Sequence, residues 1–311
     1  MDAQTLSVVA NPHAGRGRAR RAIPRIIAEL VRGLPGTHVQ LYETTSFQDA
    51  ATRTREAVAA ASPGDSLVVV GGDGMAHLGV NACAGTEVNL GLVPAGTGND
   101  FCRGIGVPTD LAQATRAILA GSTTRIDTNR VEGALTGGDT RRRVGCTVST
   151  GYDARVNDHA NRLRFTLGAP AYGWVALREL AAFSPLKYRL EIDGEVRELE
   201  AMLVAVSNSI YFGGGMKIAP RASVTDGELD VTIIHALSRL QLLQLLPTIY
   251  TGGFVKRPEV ELLRASSVMV DGEDLVGMAD GEPLGTVPLR VEVEPESLSV
   301  HLPKPVPARR G

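Results

Sequence analysis

The sequence predicts an α/β amino-terminal domain built on a parallel sheet, followed by a β-rich, sandwich-like second domain. Three observations carry that prediction. In the first third, short continuous apolar runs alternate with helical patterns, the texture of strands covered on both faces. After about residue 125 the chain changes to many short strands separated by turn residues, several of them Asp-Gly. Glycine-rich segments directly follow three of the early apolar runs. The expected divisions are residues 1–125, residues 126–302 and a flexible tail over 303–311.

The elements follow in order. Residues 6–10 read as a strand stopped by Asn11-Pro12 and glycines, and residues 19–31 as an arginine-studded helix. Residues 39–42 are the next strand and 48–61 an alanine-rich helix. A continuous apolar strand at 66–70 ends in a double glycine, with a helix over 75–84 after it. A strand at 90–93 and a helix at 111–120 complete the domain. Residues 125–132 and 143–149 flank Gly137-Gly138-Asp139 and predict an antiparallel hairpin. Residues 155–183 read as helical, broken near Pro170. Strands are then expected at 186–192, 197–199, 201–207, 229–234, 268–270, 289–293 and 298–302, with one helix inserted at 239–249. The tail is rich in Pro and Arg and is expected to fray.

Composition weighs against several classes. The 311 residues carry 32 basic and 34 acidic side chains, without the basic excess usual for a nucleic-acid partner, so that class is demoted rather than excluded. Arg outnumbers Lys 28 to 4, a bias of codon usage rather than of function. Aromatics are 4%, too few for a base-stacking platform. Cys83, Cys102 and Cys146 are isolated, which argues against a disulfide scaffold or zinc ribbon and fits a reducing compartment. Residues 1–4 lack a basic, then apolar, leader pattern. The longest uncharged stretches, 201–216 and 240–255, fall short of the roughly 18–20 apolar residues of a spanning helix. A cytoplasmic protein is expected.

The glycine loops carry the chemistry. Val70-Gly71-Gly72-Asp73-Gly74-Met75 takes a buried strand into a helix through three glycines around one carboxylate. Such a backbone can approach a ligand closely, and a helix N-terminus favours an anion. Asp73 beside phosphates calls for a cation between them, so a Mg²⁺-mediated contact is one reading; a strand-to-helix turn with Asp73 merely capping is the other. Pro94-Ala95-Gly96-Thr97-Gly98-Asn99-Asp100-Phe101 follows the next strand, and Asn11-Pro12-His13-Ala14-Gly15 ends the first. Three such loops on one edge of one sheet argue for a nucleotide-phosphate cleft. No G-x-x-x-x-G-K-[ST] occurs, Arg20 stands where a dinucleotide fingerprint needs its third glycine, and neither H-E-x-x-H nor G-x-S-x-G is present.

Together these residues resemble the diacylglycerol kinase catalytic family, lipid kinases related to sphingosine kinases. The resemblance also draws on Gly213-Gly214-Gly215-Met216, Ala219-Pro220, Thr225-Asp226-Gly227-Glu228-Leu229-Asp230 and Asp280-Gly281-Glu282-Pro283-Leu284. It spans nearly the whole chain, although G-G-D-G alone is shared with NAD kinases and phosphofructokinases. It implies an NAD-kinase-like or phosphofructokinase-like nucleotide domain and an ATP-dependent kinase acting on a lipid hydroxyl. By similarity, Asn11, Pro12, His13, Ala14, Gly15, Thr44, Gly72, Asp73, Gly74, Met75, Ala76, His77, Leu78, Gly96, Thr97 and Asp100 would line the ATP site. Asp73 and the Asp100 loop would organise Mg²⁺ and phosphates. A structural Mg²⁺ in the second domain would map to Asp226, with Ser223 and Glu228 contributing carbonyls. The family's general base is the Glu of an Asp-Gly-Glu triplet. Four triplets occur here, ending at Glu195, Glu228, Glu273 and Glu282, and the residues that follow favour Glu282. The chain departs from the family at Met75, where Thr is usual, at His77-Leu78, where Asn-Glu is usual, and at Thr225, where a second acid is common.

The resemblance implies that Glu282 deprotonates diacylglycerol for attack on the γ-phosphoryl of ATP. The alternatives are another acceptor (monoacylglycerol, ceramide or a sphingoid base) and a non-catalytic nucleotide-binding regulator. A lipid substrate implies peripheral membrane contact, for which the arginines of 16–25 and the apolar stretch 240–255 are candidates. Strand edges in the second domain make a homodimer possible.

Overall fold

The computed structural model describes residues 4–151 and 184–303; the helical pattern expected over 155–183 and most of the tail lie outside the described residues. The chain forms two compact units, one holding residues up to Asp127 and those from Glu296 on, the other Thr128–Pro295. Residues 296–302, grouped with the second domain on sequence, thus belong to the first.

In the first unit, β1 (Thr5–Ala10), α1 (Arg18–Gly33), β2 (His38–Glu43), α2 (Phe47–Ala59), β3 (Ser66–Gly71), α3 (Asp73–Cys83), β4 (Asn89–Pro94), α4 (Asp100–Gly104) and α5 (Leu111–Leu119) follow one another. The sheet order is β4-β3-β1-β2, parallel throughout, and Val300 runs parallel beside Leu90 at its β4 edge. Alternation sorts the strand side chains between two faces. Val8, Ala10, Val68 and Val70 pack under Ile23, Ile26 and Leu30 of α1 and Ile118 of α5. α2 and α3 pack against each other and on the strands. Local chemistry sets the helix starts: Ser46 Oγ accepts the Asp49 N–H at 3.0 Å, and Asp110 Oδ1 accepts the Gln113 N–H at 2.9 Å. The short α4 has no counterpart in the sequence reading, and its N-terminus is held from a distance, as described below.

β5 (Thr123–Leu135) leads into the second unit, followed by β6 (Arg141–Val144), β7 (Thr147–Gly151), β8 (Leu186–Ile192), β9 (Glu195–Ser207), β10 (Tyr211–Phe212), β11 (Met216–Lys217), β12 (Leu229–His235), α6 (Arg239–Ile249), β13 (Val260–Ala265), β14 (Ser267–Gly272), β15 (Val276–Ala279) and β16 (Glu282–His301). Antiparallel pairing runs β9-β7-β15-β16-β14-β8 and back to β9, a closed ring of six strands. Closure removes the edges that such a sheet would otherwise expose. Val204 and Val206 point into the ring with Val148, Leu190, Val270 and Leu289. Their neighbours Leu203 and Ala205 point out, under α6 with Leu242, Leu245 and Ile249.

Three expectations change. Residues 197–199 and 201–207 are one strand, β9; residues 289–293 and 298–302 are both within β16. The expected strand 143–149 is two, because the Asp280 carboxylate accepts the N–H groups of Gly145 (3.2 Å), Cys146 (3.0 Å) and Thr147 (3.2 Å). Those donors leave the ladder: β6 pairs with β5, whereas β7 pairs with β9 and β15.

Candidate active site

The carboxyl ends of four adjacent parallel strands meet on one edge of the first unit. The Asn11 N–H donates to Val70 O at 2.9 Å, the Thr44 N–H to Ala10 O at 2.9 Å, and the Ala95 N–H to Gly71 O at 2.7 Å. Thr44 is buried, its Oγ1 donating to Ala10 O at 3.1 Å. Asn11 turns back on its own loop, Oδ1 accepting the His13 N–H at 2.9 Å. Asn11, Thr44, Gly72 and Gly96 therefore belong to one continuous backbone assembly.

Two glycines make the assembly possible. A Cβ on Gly96 would collide with Gly72 Cα, and one on Gly72 would stand 3.2 Å from Gly96 Cα, so the two loops pack backbone on backbone. Gly72 caps α3 without a side chain, so no side-chain oxygen takes the first-turn N–H groups. Beside this seam lies a cavity of about 260 Å³, lined by Arg18, Gly96, Thr97, Asn99, Arg103 and Thr109 among others. It combines glycine backbone with two guanidinium groups, a suitable lining for phosphate oxygens.

The two arginines extend the site predicted from sequence. Arg18 opens α1, its Nε donating to Gly15 O at 3.2 Å and its Nη2 to Gly96 O at 3.3 Å. Arg103 Nε donates to Gly98 O at 2.9 Å. Sequence reading placed Arg18 in a cluster offered for membrane contact and passed over Arg103; the signal available was only their closeness to the glycine loops.

Asp73 holds the second loop. Its Oδ2 accepts the Asn99 N–H at 2.9 Å and its Oδ1 the Asp100 N–H at 2.7 Å, the entry to α4. Asn99 takes the left-handed conformation (φ 54°), with Oδ1 accepting the Gly96 N–H at 3.0 Å and Nδ2 donating to Gly96 O at 3.1 Å. Of the two readings of Asp73, capping is the geometry present, although it caps the loop after β4 rather than its own helix.

The remaining first-unit residues separate into two groups. Pro12, Ala14 and Gly15 are half-buried and His13 is exposed, in the loop after β1; Gly74 is half-buried in the first turn of α3. Met75, Ala76 and His77 are buried. Met75 fills the space over Gly71, which explains how this chain accommodates it, and the ring Nε2 of His77 lies 3.2 Å from Asn81 Nδ2. These three side chains pack into the interior, and Leu78 is half-buried.

In the second unit, Glu282 is exposed on the first position of β16. The preceding turn has φ 50° at Asp280 and 87° at Gly281, and Asp280 fixes it through the three N–H groups named above. The turn thus presents the Glu282 carboxylate from an anchored base.

In the Ser223, Asp226 and Glu228 segment the carboxylates meet a guanidinium. Arg264 pairs with Asp226 at 3.3 Å and with Glu228. The Glu228 N–H donates to Asp226 Oδ1 at 3.3 Å, and Ser223 Oγ lies 3.3 Å from Thr225 Oγ1. Among the described residues no three His, Cys, Asp or Glu side chains are grouped to hold a metal. Asp226, the side-chain ligand that the resemblance implies, has its carboxylate paired with the Arg264 guanidinium, which competes with a cation there. Nearby Asp230 is pushed up to about 6, mainly by burial, its Oδ2 having no hydrogen-bond partner.

A parallel α/β unit with glycine loops at its strand ends, joined to a closed antiparallel unit, defines an NAD-kinase-like fold. Comparison with known proteins makes this specific. Residues 5–131 match the diacylglycerol kinase catalytic domain, and residues 146–302 the YegS C-terminal NAD kinase beta sandwich-like domain. A diacylglycerol kinase of Mycobacterium tuberculosis (strain ATCC 25618 / H37Rv) is 35% identical over 302 residues, covering 96% of this chain and 95% of that protein. A diacylglycerol kinase of Bacillus subtilis (strain 168) is 26% identical over 289 residues, 90% of each chain. The fold is similar to that of a diacylglycerol kinase from Bacillus anthracis str. Sterne (TM-score 0.72, 20% identity, 97% of both chains). It is also similar to yeast NADH kinase (TM-score 0.52, 13% identity, 96% of this chain and 83% of that one). The chain belongs to the diacylglycerol kinase catalytic family and is a lipid kinase.

Proposed function

We propose that this kinase transfers the γ-phosphoryl group of ATP, delivered as its magnesium complex, to the free hydroxyl of diacylglycerol, giving phosphatidic acid for phospholipid synthesis. The observation that carries the nucleotide half is the backbone-on-backbone seam of Gly72 and Gly96 beside a cavity holding Arg18 and Arg103. Phosphoryl transfer depends chiefly on positioning and charge neutralisation, which glycine N–H groups and guanidinium groups provide. Asp73 acts as a positioning residue by fixing Asn99 and Asp100. Glu282, on its anchored turn, takes the proton of the acceptor hydroxyl. The acceptor assignment rests on the family and on relatives named diacylglycerol kinase.

The test is transfer of label from γ-labelled ATP across a panel of diacylglycerol, monoacylglycerol, ceramide and sphingoid base. Diacylglycerol is expected to give the highest kcat/KM. Preferential labelling of any other member would overturn the acceptor, and an absence of labelled lipid would overturn the reaction.

A further inference from the structure

A lipid kinase must meet its acceptor at a membrane surface, yet no helix among the described residues is long and apolar enough to cross one. Most apolar side chains of the second unit are consumed by its ring or by the layer under α6. Apart from Val196 and Val276, the large apolar side chains left exposed among its described residues belong to α6 and its end. Leu240 is 66% exposed, Leu243 42% and Tyr250 54%, and Pro247 is exposed between them. At 3.6 residues per turn these four fall within an arc of about 80°. The opposite face, Leu242, Leu245 and Ile249, is at most 3% exposed, packed with Ile218, Ala219 and Phe254. The helix is therefore fixed by one apolar face and presents a second to solvent. Its start is fixed too, by a capping box in which Ser238 and Gln241 exchange hydrogen bonds.

The sequence that carries this stripe has charge of one sign. Residues 236–258 contain Arg239, Lys256 and Arg257 and no Asp or Glu. None of these three cations makes an ion pair among the described residues, and Lys217 lies alongside Gly252 at the end of the helix. The nearest following acid, Glu259, is turned to Gln241 Nε2 at 2.9 Å. An anchored helix with an outward Leu/Tyr stripe and unpaired cations suits the boundary between acyl chains and anionic headgroups. A soluble protein partner or a second copy would have to bring acids to match; a bilayer rich in anionic lipid supplies them together with the apolar layer.

We propose that Leu240, Leu243, Pro247 and Tyr250, with Arg239 and Lys256, form the face by which the second unit docks in-plane on an anionic lipid bilayer. This rests on the lipid-acceptor reading above and adds to it the surface used. Each leucine buried on docking contributes about a tenfold gain in affinity or more, and each cation roughly a further factor of five at low salt.

The experiment is flotation of the full chain with vesicles of phosphatidylcholine alone and of phosphatidylcholine mixed equally with phosphatidylglycerol. The native chain is expected to bind the mixed vesicles and to release as salt rises. Leu240→Ser with Leu243→Ser should weaken binding at least about tenfold. Its turnover on a short-chain, water-dispersed diacylglycerol should hold, while turnover on long-chain diacylglycerol in vesicles falls. Leu240→Trp, which removes no apolar area, should keep binding and shift its emission to the blue on mixed vesicles. Unchanged vesicle affinity in the serine variant, or no emission shift in the tryptophan variant, would overturn the proposal. So would loss of a dimer by sedimentation in the serine variant with vesicle binding intact, which would assign the face to a second copy. Vesicle binding lost in the serine variant, in a chain that phosphorylates no diacylglycerol, would sustain this surface and refute the acceptor reading alone.

Discussion

Replacing Asp73 by Asn separates two roles that a carboxylate could have at the glycine loop. In the folded chain each oxygen takes one backbone N–H, from Asn99 at 2.9 Å and from Asp100 at 2.7 Å. An amide keeps one acceptor and turns an NH₂ group toward the other N–H, so one bond is lost and two donors face each other. A hydrogen bond to a charged acceptor contributes about 1.5–3 kcal/mol. Asp73 is half-buried, and water offsets part of that loss. The net expected destabilisation is about 2 kcal/mol. For a unit of this size it lowers the thermal midpoint by about 4–8 °C, read by scanning calorimetry. Turnover should fall with it, because Asn99 in turn holds Gly96 against Gly72. If the midpoint stays within about 1 °C while turnover collapses and its magnesium dependence shifts, the carboxylate acts on the nucleotide's metal. The capping argument would then be wrong.

Other expectations follow from the same geometry. Glu282→Gln, a change that keeps the side chain's size, should cut turnover by about 10²–10⁴-fold in the labelled-ATP assay. Asp280→Ala should lower both turnover and urea stability, the latter by about 1–3 kcal/mol, because three N–H groups lose their acceptor. Burial holds His301 down to about 4, with Nε2 at 2.9 Å from Ser66 Oγ. The unfolded chain, with its imidazole near 6.5, then binds more protons between pH 4 and 6.5, so stability falls as pH drops through that window. Urea melts of His301→Gln should show a flatter slope there; an unchanged slope would remove His301 from the account. Burial also pushes the Cys83 and Cys102 thiols up to about 12, so a thiol-specific disulfide reagent at pH 8 should label neither until the chain unfolds.

Where the sequence was legible, a local pattern coincided with a structural one. The apolar runs of β1, β3 and β4 became buried parallel strands, each stopped by a glycine cluster at the same sheet edge. β2, with Gln40 in it, is instead the sheet's edge strand and largely exposed. Legibility failed where a single element changes its surroundings along its length. β9 begins exposed, with alternating charges over Glu195–Glu200, and ends buried on both faces; that change of period reads as two strands. β16 contains Pro283, Pro288 and Pro295, each of which reads as a break, yet it continues to His301 and carries the chain back to the first unit. α4 is five residues long, and the group that stabilises its start, Asp73, is 26 residues away.

The active-site residues divide along the same line. A carboxylate after two glycines is equally apt for capping and for a metal, and only the long-range partners of Asp73 distinguish the two. For Asp226 and Glu228 the deciding group is Arg264, on a strand the sequence did not announce, paired in register with Asp230. The four Asp-Gly-Glu triplets make the point most sharply. Asp193 and Asp280 adopt nearly the same conformation, φ 49° and 50°, each followed by glycine. Each carboxylate accepts strand N–H groups, those of Ser266 and Ser267 for Asp193 and those of Gly145, Cys146 and Thr147 for Asp280. The triplet is therefore first a turn device, and turn geometry cannot by itself select a general base. Glu282 is selected over Glu195 by the family pattern that follows it. Glu195→Gln is the matching control: equal losses of turnover in the two variants would mean that neither carboxylate is the base.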